Sequence, residues 1–289
     1  MPERREDAGI APTRVRPDWS VARSWLLLPG TPDGENIFDD AIASDVDVVV
    51  LDLEDGLPDA ETARGRATVR RWLSGTGHAW VRIADTRTPA WADDLAAVAT
   101  APGLGGVILA KTESPEDVRA TARRLPDGMP IVALIESALG IERASEIAGE
   151  PACARMAFGV GDFRRDTGMS ADPMALAYPR SRLVVASRAA AIAAPIDGPT
   201  LRSDTRHLTR DTEIAKSMGM GGRLCLDTGH AATINNLLSP STDEIDSART
   251  VLATLGGSGG VYDGSSRPTM ARAEDTLTLA RRLGLLGDS

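Results

Sequence analysis

Residues 130–168 read PIVALIESALGIERASEIAGEPACARMAFGVGDFRRDTG, and how this stretch folds decides the architecture. Two short apolar runs, Ile131–Ile135 and Met156–Val160, are bounded by Pro, Gly and polar residues. Such runs read as strands buried on both faces of a parallel sheet. Between them, ALGIERASEIA spaces its apolar residues as a helix packed on a sheet does. The unit is therefore β-α-β, and each strand ends beside an acid, Glu136 after the first and Asp162 after the second. The C-terminal edge of a parallel sheet is where α/β folds bind their ligands. Two carboxylates on neighbouring strand ends repel unless a cation lies between them, and an all-oxygen donor set suits Mg²⁺ or Mn²⁺. Each acid could equally cap the helix that follows its strand, and spacing alone leaves both readings open.

Working outward, the same pattern recurs. Strands are expected at Ser24–Leu28, Asp47–Leu53, His78–Ile83 and Gly106–Ala110 before the central unit, and at Pro195–Pro199 and Arg223–Leu226 after it. Helices are expected at Asp33–Ser44, Asp59–Leu73, Pro89–Thr100, Ser114–Leu125, Asp172–Ala194, Asp204–Met218 and His230–Leu238. Strands and helices alternating in this way predict an α/β fold, a (β/α)8 TIM barrel. A doubly wound open sheet would need a glycine-rich phosphate turn after an early strand, and PGTPDG after the first strand is not one. Residues 1–22 are polar, lack the apolar core of a signal peptide and are expected to be a disordered tail. Residues 23–240 form the predicted barrel. Residues 241–289 hold two more helices, Asp243–Leu255 and Arg272–Leu286, joined through the glycine-rich 256–260. This C-terminal helical extension is expected to pack on the barrel or on a neighbouring subunit.

Composition narrows the function classes. The net charge is −9, and no stretch interleaves basic and aromatic residues, so a nucleic-acid partner is not expected. No apolar run approaches the length of a membrane span. Cys153 and Cys225 lie in or beside apolar strands and read as buried thiols of a reducing compartment, which points to the cytoplasm. The barrel reading collects Glu54, Asp55, Arg82, Lys111, Glu136, Asp162 and Asp227 at its C-terminal rim. An arginine inside an apolar strand, WVRIA, needs a partner for its charge. Lys111 is one of 2 lysines in a chain with 30 arginines, which hints that a compact ammonium is wanted there.

The ordered set VVVLDLEDGLPDAETAR, WVRIAD, ILAKTES, ALIESALG, FGVGDFRRDTG and GGRLCLD resembles the citrate lyase β-subunit and its stand-alone relatives. These belong to the HpcH/HpaI aldolase and malyl-CoA or citramalyl-CoA lyase superfamily. The resemblance covers about residues 24–255 and implies a Mg²⁺-dependent carbon–carbon lyase. It assigns metal binding to Glu136 and Asp162, and a place near the reacting oxygens to Arg82. It assigns the ordering of metal-bound water to Glu54 and Asp55, and makes Lys111 the lysine of the K.ES motif. It also implies a carboxylate-bearing small-molecule substrate, with a CoA thioester among the candidates, and a homotrimer or hexamer. Retro-aldol cleavage leaves an enolate whose charge a metal and a cation can stabilise.

Three departures stand out. The turn after the first strand, PGTPDGEN, lacks the family's basic residue. The eighth strand reads Arg223-Leu-Cys225-Leu-Asp227-Thr-Gly-His230 where the family has K-x-C-I-H-P-x-Q, so Asp227 stands in place of its histidine. The family's C-terminal D-G-x-M-I-D is reduced here to Asp263-Gly264 followed by Ser-Ser-Arg267-Pro268, without the second Asp. Asp227 is the candidate proton donor, or else the cap of the helix beginning near Thr228. Besides a lyase acting on a β-hydroxyacyl-CoA or a free hydroxy-oxo acid, two readings stay open. One is a condensing enzyme or thioesterase on the same scaffold. The other is a catalytically silent binding or scaffold subunit.

Overall fold

The computed structural model describes residues 16–201, 204–255 and 264–286. Eight strands, β1 (Ser24–Pro29), β2 (Val48–Asp52), β3 (Ala79–Ile83), β4 (Leu104–Leu109), β5 (Ile131–Ile135), β6 (Cys153–Phe158), β7 (Ala193–Asp197) and β8 (Gly222–Cys225), run parallel in chain order. They close by pairing β1 with β8, which makes the predicted barrel. Helices α1 (Glu35–Ala43), α2 (Asp59–Ser74), α3 (Pro89–Val98), α4 (Pro115–Ala122), α5 (Ala138–Glu142), α6 (Ala144–Ala148), α7 (Val160–Thr167), α8 (Ala177–Ala189), α9 (Thr205–Ser217) and α10 (Ala231–Leu238) surround it. Ser114 starts α4 with a full capping box, its side chain accepting from Asp117 N while the Asp117 carboxylate takes the cap N–H, and Pro115 holds the first position.

Strand alternation sorts the side chains into two cores. One face of each strand meets the helices, as Leu51, Val81, Leu109 and Phe158 do. The other fills the barrel, as Val50, Ile108, Val132, Leu134 and Leu224 do. The barrel floor is aromatic, with Trp80 meeting the Trp25 ring edge-on at 5.0 Å and the Trp19 ring at 6.0 Å. Arg155 closes that floor from β6, donating to the carbonyls of Trp19, Ala22 and Ala194 at 2.6–3.0 Å.

Several boundaries differ from expectation. The described residues before 23 already pack on the barrel: Arg16 donates to Ile42 O of α1 at 2.6 Å and Ala22 is fully buried, so residues 16–22 are not tail. The tail expected over 1–22 otherwise falls in 1–15, outside the described residues. The central helix is two short ones, broken at Arg143 where ψ rises to 5°. β6 stops at Phe158 and the chain turns at Gly159 straight into α7, which places Asp162 in a helix's first turn. The helix expected over Asp172–Ala194 is α8, closed when Ala191 takes φ 56°, and β7 begins at Ala193. The extension forms a helix pair, α11 (Thr242–Leu255) and α12 (Ser266–Arg282). Pro268 lies within the first turn of α12, where an intrahelical N–H is not required, so this helix starts at Ser266, ahead of the expected Arg272. The pair shares an apolar cluster of Ile245, Ala248, Ala273, Leu277 and Ala280. Polar contacts tie it to the barrel, Lys216 to Glu244 at 3.4 Å and Arg282 to Asp18 at 3.2 Å. Positions 256–260 and Asp263 lie outside the described residues. No helix among the described residues is long and apolar enough to cross a membrane.

Candidate active site

The rim is built from consecutive strand ends. Asp52 and Arg82 occupy matched register positions on β2 and β3, and both side chains point into the barrel because Val50 and Trp80, two residues earlier, do. Adjacency lets the Arg82 guanidinium grip Asp52 with two parallel bonds, Nε to Oδ1 and Nη2 to Oδ2, each 2.7 Å. Arg82 Nη1 lies 3.2 Å from Glu54 Oε2. Burial works to lower the Arg82 pKa, but Asp52, Glu54 and Glu136 hold it above its ordinary value. The partner that an arginine in WVRIA required is thus Asp52, which is not among the residues expected from sequence. Its signal was present, since Asp52 lies two residues from the inward-facing Val50 on one strand.

Lys111, just past β4, pairs its ammonium with Glu54 and reaches Asp55 Oδ2 at 3.8 Å. Its backbone is left-handed, φ 47°, a conformation that costs a residue with a side chain on the order of 1 kcal/mol. The turn aims the Lys111 N–H at Glu136 Oε1, 2.7 Å away. Desolvation tends to depress the Lys111 pKa, and the Glu54 contact more than reverses this. Burial raises the Glu54 pKa, against the pull of Arg82 and Lys111. Asp55 is largely exposed and stands at the outer edge of the group.

Glu136 is the most perturbed acid of the rim. Burial pushes its pKa up to about 8, the Lys111 N–H opposes this, and the Glu54 and Asp162 carboxylates add to it. Asp162 enters from the first turn of α7, where the helix dipole favours a negative charge, and Arg165 lies 3.1 Å from it. The two predicted metal ligands are therefore brought close enough to feel each other's charge. Between β6 and α7, Gly159 leaves the space that Glu136 uses: a Cβ there would collide with Glu136 Oε2. Gly159 thus makes room for the Glu136 carboxyl near Asp162, and two oxygen acids so placed fit a hard divalent cation that retains open coordination positions. Among the described residues no group of three or more His, Cys, Asp or Glu converges as a ready cation cage, so solvent or substrate oxygens would complete the shell.

Asp227 stands apart from this cluster. It is exposed and its Oδ1 accepts from Gly229 N at 2.8 Å, capping the short 3-10 turn Thr228–His230. The capping role expected as one alternative is present, and Oδ2 is left without a side-chain partner among the described residues.

Comparison with known proteins agrees with this geometry. The family profile for HpcH/HpaI aldolase/citrate lyase matches residues 23–228, and that for the HpcH/HpaI aldolase C-terminal domain matches 243–284. The chain is 28% identical over 246 residues to a citrate lyase subunit beta-like protein of Deinococcus radiodurans, covering 81% of this chain and 85% of that one. It is 28% identical over 274 residues to a (3S)-malyl-CoA thioesterase of Cereibacter sphaeroides, covering 87% and 94%. Among solved structures it is similar to the protein CitE of Mycobacterium tuberculosis in complex with magnesium, acetoacetate and coenzyme A, with a TM-score of 0.75, 27% identity and 92% and 99% of the two chains covered. By fold and sequence together, the chain belongs to the HpcH/HpaI aldolase/citrate lyase family.

Proposed function

We propose that this protein is a Mg²⁺-dependent carbon–carbon lyase that makes or breaks a bond next to an enolate. The observation that carries the reading is the convergence of Glu136 and Asp162 beside an Arg82 that Asp52 and Glu54 hold in place. Glu136 and Asp162 would hold the metal, and when bound it supplies the Lewis acid that stabilises enolate charge. Mn²⁺ has the same oxygen preference and could replace it. A relative's complex with magnesium supports this assignment.

Each rim residue then has a task that follows from its contacts. Arg82 uses two of its five N–H groups on Asp52 and directs a third toward Glu54, which leaves two in a fixed plane for a substrate carboxylate or carbonyl oxygen. Lys111 Nζ, anchored by Glu54, sets a second positive charge at the rim and opposes the rise that burial imposes on the Glu54 pKa. Glu54 and Asp55 orient solvent at the mouth. Asp227 is the candidate to return a proton to the enolate carbon, through the Oδ2 that has no side-chain partner among the described residues. The substrate is a carboxylate-bearing small molecule, either a β-hydroxyacyl-CoA or a free hydroxy-oxo acid, and the protein acts in the cytoplasm.

The test is proton exchange. In D2O with Mg²⁺, a 2-oxo acid such as pyruvate or an acyl-CoA such as acetyl-CoA should lose its α-protons by NMR, and excess chelator should stop the loss. Exchange that survives chelation would overturn the reading. A thioesterase is the second reading, favoured by the malyl-CoA thioesterase among the relatives; free thiol released from malyl-CoA without glyoxylate would establish it instead. We place the α11–α12 pair at a subunit boundary of a homotrimer or hexamer. Deleting 256–289 should change the mass measured by light scattering, and an unchanged mass with full activity would refute that placement.

A further inference from the structure

A cavity of about 380 Å³ opens outside the ends of β6, β7 and β8, walled by α7, α8 and α9. Four guanidinium groups line it. Arg180 and Arg223 are buried in its wall, with 7% and 2% of their surface exposed. Arg164 and Arg210 stand nearer solvent. Asp197 lies on the outer face of β7, because its neighbour Ile196 fills the barrel, and it serves both buried arginines. Arg180 Nε donates to Oδ1 at 3.0 Å, and Arg223 Nη1 donates to Oδ2 at 2.8 Å.

One buried carboxylate between two buried guanidiniums leaves charge uncompensated. The carboxylate of the other acid of the wall, Asp211, comes no closer to Arg223 than 3.8 Å and accepts a hydrogen bond from Thr200; Arg223 otherwise donates to neutral acceptors, Nη1 to the Asp211 carbonyl at 3.1 Å and Nη2 to Thr200 Oγ1 at 2.9 Å. Arg223 Nε is buried without an acceptor. Arg164 uses Nε on the Met169 carbonyl at 3.3 Å, and Arg210 makes no side-chain hydrogen bond or ion pair among the described residues. Four guanidiniums against Asp197, Asp211 and Asp204, the last held on the lining His207 at 2.6 Å, leave a surplus of one, in a chain whose net charge is −9. Desolvated guanidinium groups are stable only with anions in reach, and their planar donors match carboxylate and phosphate oxygens.

We propose that this cavity is an anion-binding site, for a phosphate or carboxylate group, separate from the rim cluster. Its volume falls within the range of small-molecule pockets. Gly198 sets the wall: a Cβ there would lie 2.6 Å from the Val160 side chain, so β7 and α7 meet closely. Val160 shares the first turn of α7 with Asp162, and an occupant would bear on the segment that positions Asp162. The proposal does not depend on a metal at the rim.

Isothermal titration calorimetry of the full-length protein in EDTA and low salt tests it, with inorganic phosphate and succinate as separate titrants. One or both should bind at one site per chain, and Arg210→Gln should weaken that binding at least about fivefold, as should Arg164→Gln. Both residues are accessible, so the fold should tolerate either change. Glu136→Gln should leave the affinity unaltered, which separates this site from the rim. Tighter phosphate binding assigns a phosphorylated ligand, and tighter succinate binding assigns a carboxylate. Absence of saturable binding for both titrants would overturn the proposal, as would parental affinity in both arginine variants.

Discussion

Replacing Glu136 with Gln in metal-free protein should increase stability near neutral pH, by an amount the site geometry sets. The Glu136 carboxyl has an ordinary pKa of 4.5 and is pushed to about 8 in the folded chain by burial and by its acidic neighbours. Between those values the folded state binds a proton that the unfolded state has released. Stability of the parent must therefore fall as pH rises through this window. Each pH unit inside it is worth about 1.4 kcal/mol, so between about pH 5 and pH 7.5 the parent should lose about 3 kcal/mol relative to a variant that cannot ionise. The amide of the Glu136→Gln variant would keep an oxygen as acceptor for the Lys111 N–H, so the local fold should persist. Urea denaturation in EDTA at the two pH values measures the difference. Adding Mg²⁺ at about 100 times its dissociation constant should then stabilise the parent by about 2.7 kcal/mol and the variant not at all, with about one proton released on binding at neutral pH. Parallel pH profiles for the two proteins, or equal stabilisation by Mg²⁺, would refute the reasoning.

Arg82→Lys cannot reproduce the two parallel bonds to Asp52, and turnover should fall by about 100-fold or more; steady-state kinetics at saturating Mg²⁺ would show otherwise if the rate held. Gly159→Ala would put a methyl 2.5 Å from the Glu136 Cβ and closer still to its carboxylate, so Mg²⁺ affinity by calorimetry should drop at least about tenfold while far-UV circular dichroism keeps its barrel signature. Asp227→Asn retains the cap to Gly229 and so the melting temperature, yet should lower turnover by about two orders of magnitude; an unchanged rate would leave Asp227 as a cap alone.

The barrel was legible because its strands are short apolar runs whose ends coincide with polar residues, and eight such runs in a row admit few topologies. Arg82 was legible as a buried cation in need of a counter-ion, but its main partner is Asp52, the last residue of β2, which the sequence reading does not single out. The placement of Asp162 in a helix could not be read from FGVGDFRRD, since Val160 extends the apolar run of β6 and only the turn at Gly159 separates the two. The left-handed Lys111 leaves no mark in sequence, because the strain is held by a hydrogen bond to a different strand end, Glu136. The outer arginine cavity was hidden for a different reason. Its members come from α7, α8, α9 and β8, and in a chain with 30 arginines no single one stands out until the fold brings four together.

The two polar sites have opposite charge, and that opposition has a physical consequence. At the rim, Arg82 and Lys111 face Asp52, Glu54, Asp55, Glu136 and Asp162, so acids outnumber bases. A carboxylate-bearing molecule approaching this rim without a cation meets repulsion that Arg82 alone cannot overcome, since Asp52 and Glu54 already engage it. At Glu136 burial is the main cause of the raised pKa, and the Glu54 and Asp162 carboxylates add to it, so the same acids that repel an incoming anion also favour the protonated carboxyl. On the proposed function, a cation would be a condition for substrate binding as well as for chemistry. The outer cavity, with arginines in surplus, attracts anions without any metal. A substrate or effector with two separated anionic groups would find one environment that accepts it at once and another that accepts it only when charged with a cation. Val160 and Asp162, in one turn of α7, are the shortest path by which occupancy of the first could be felt at the second.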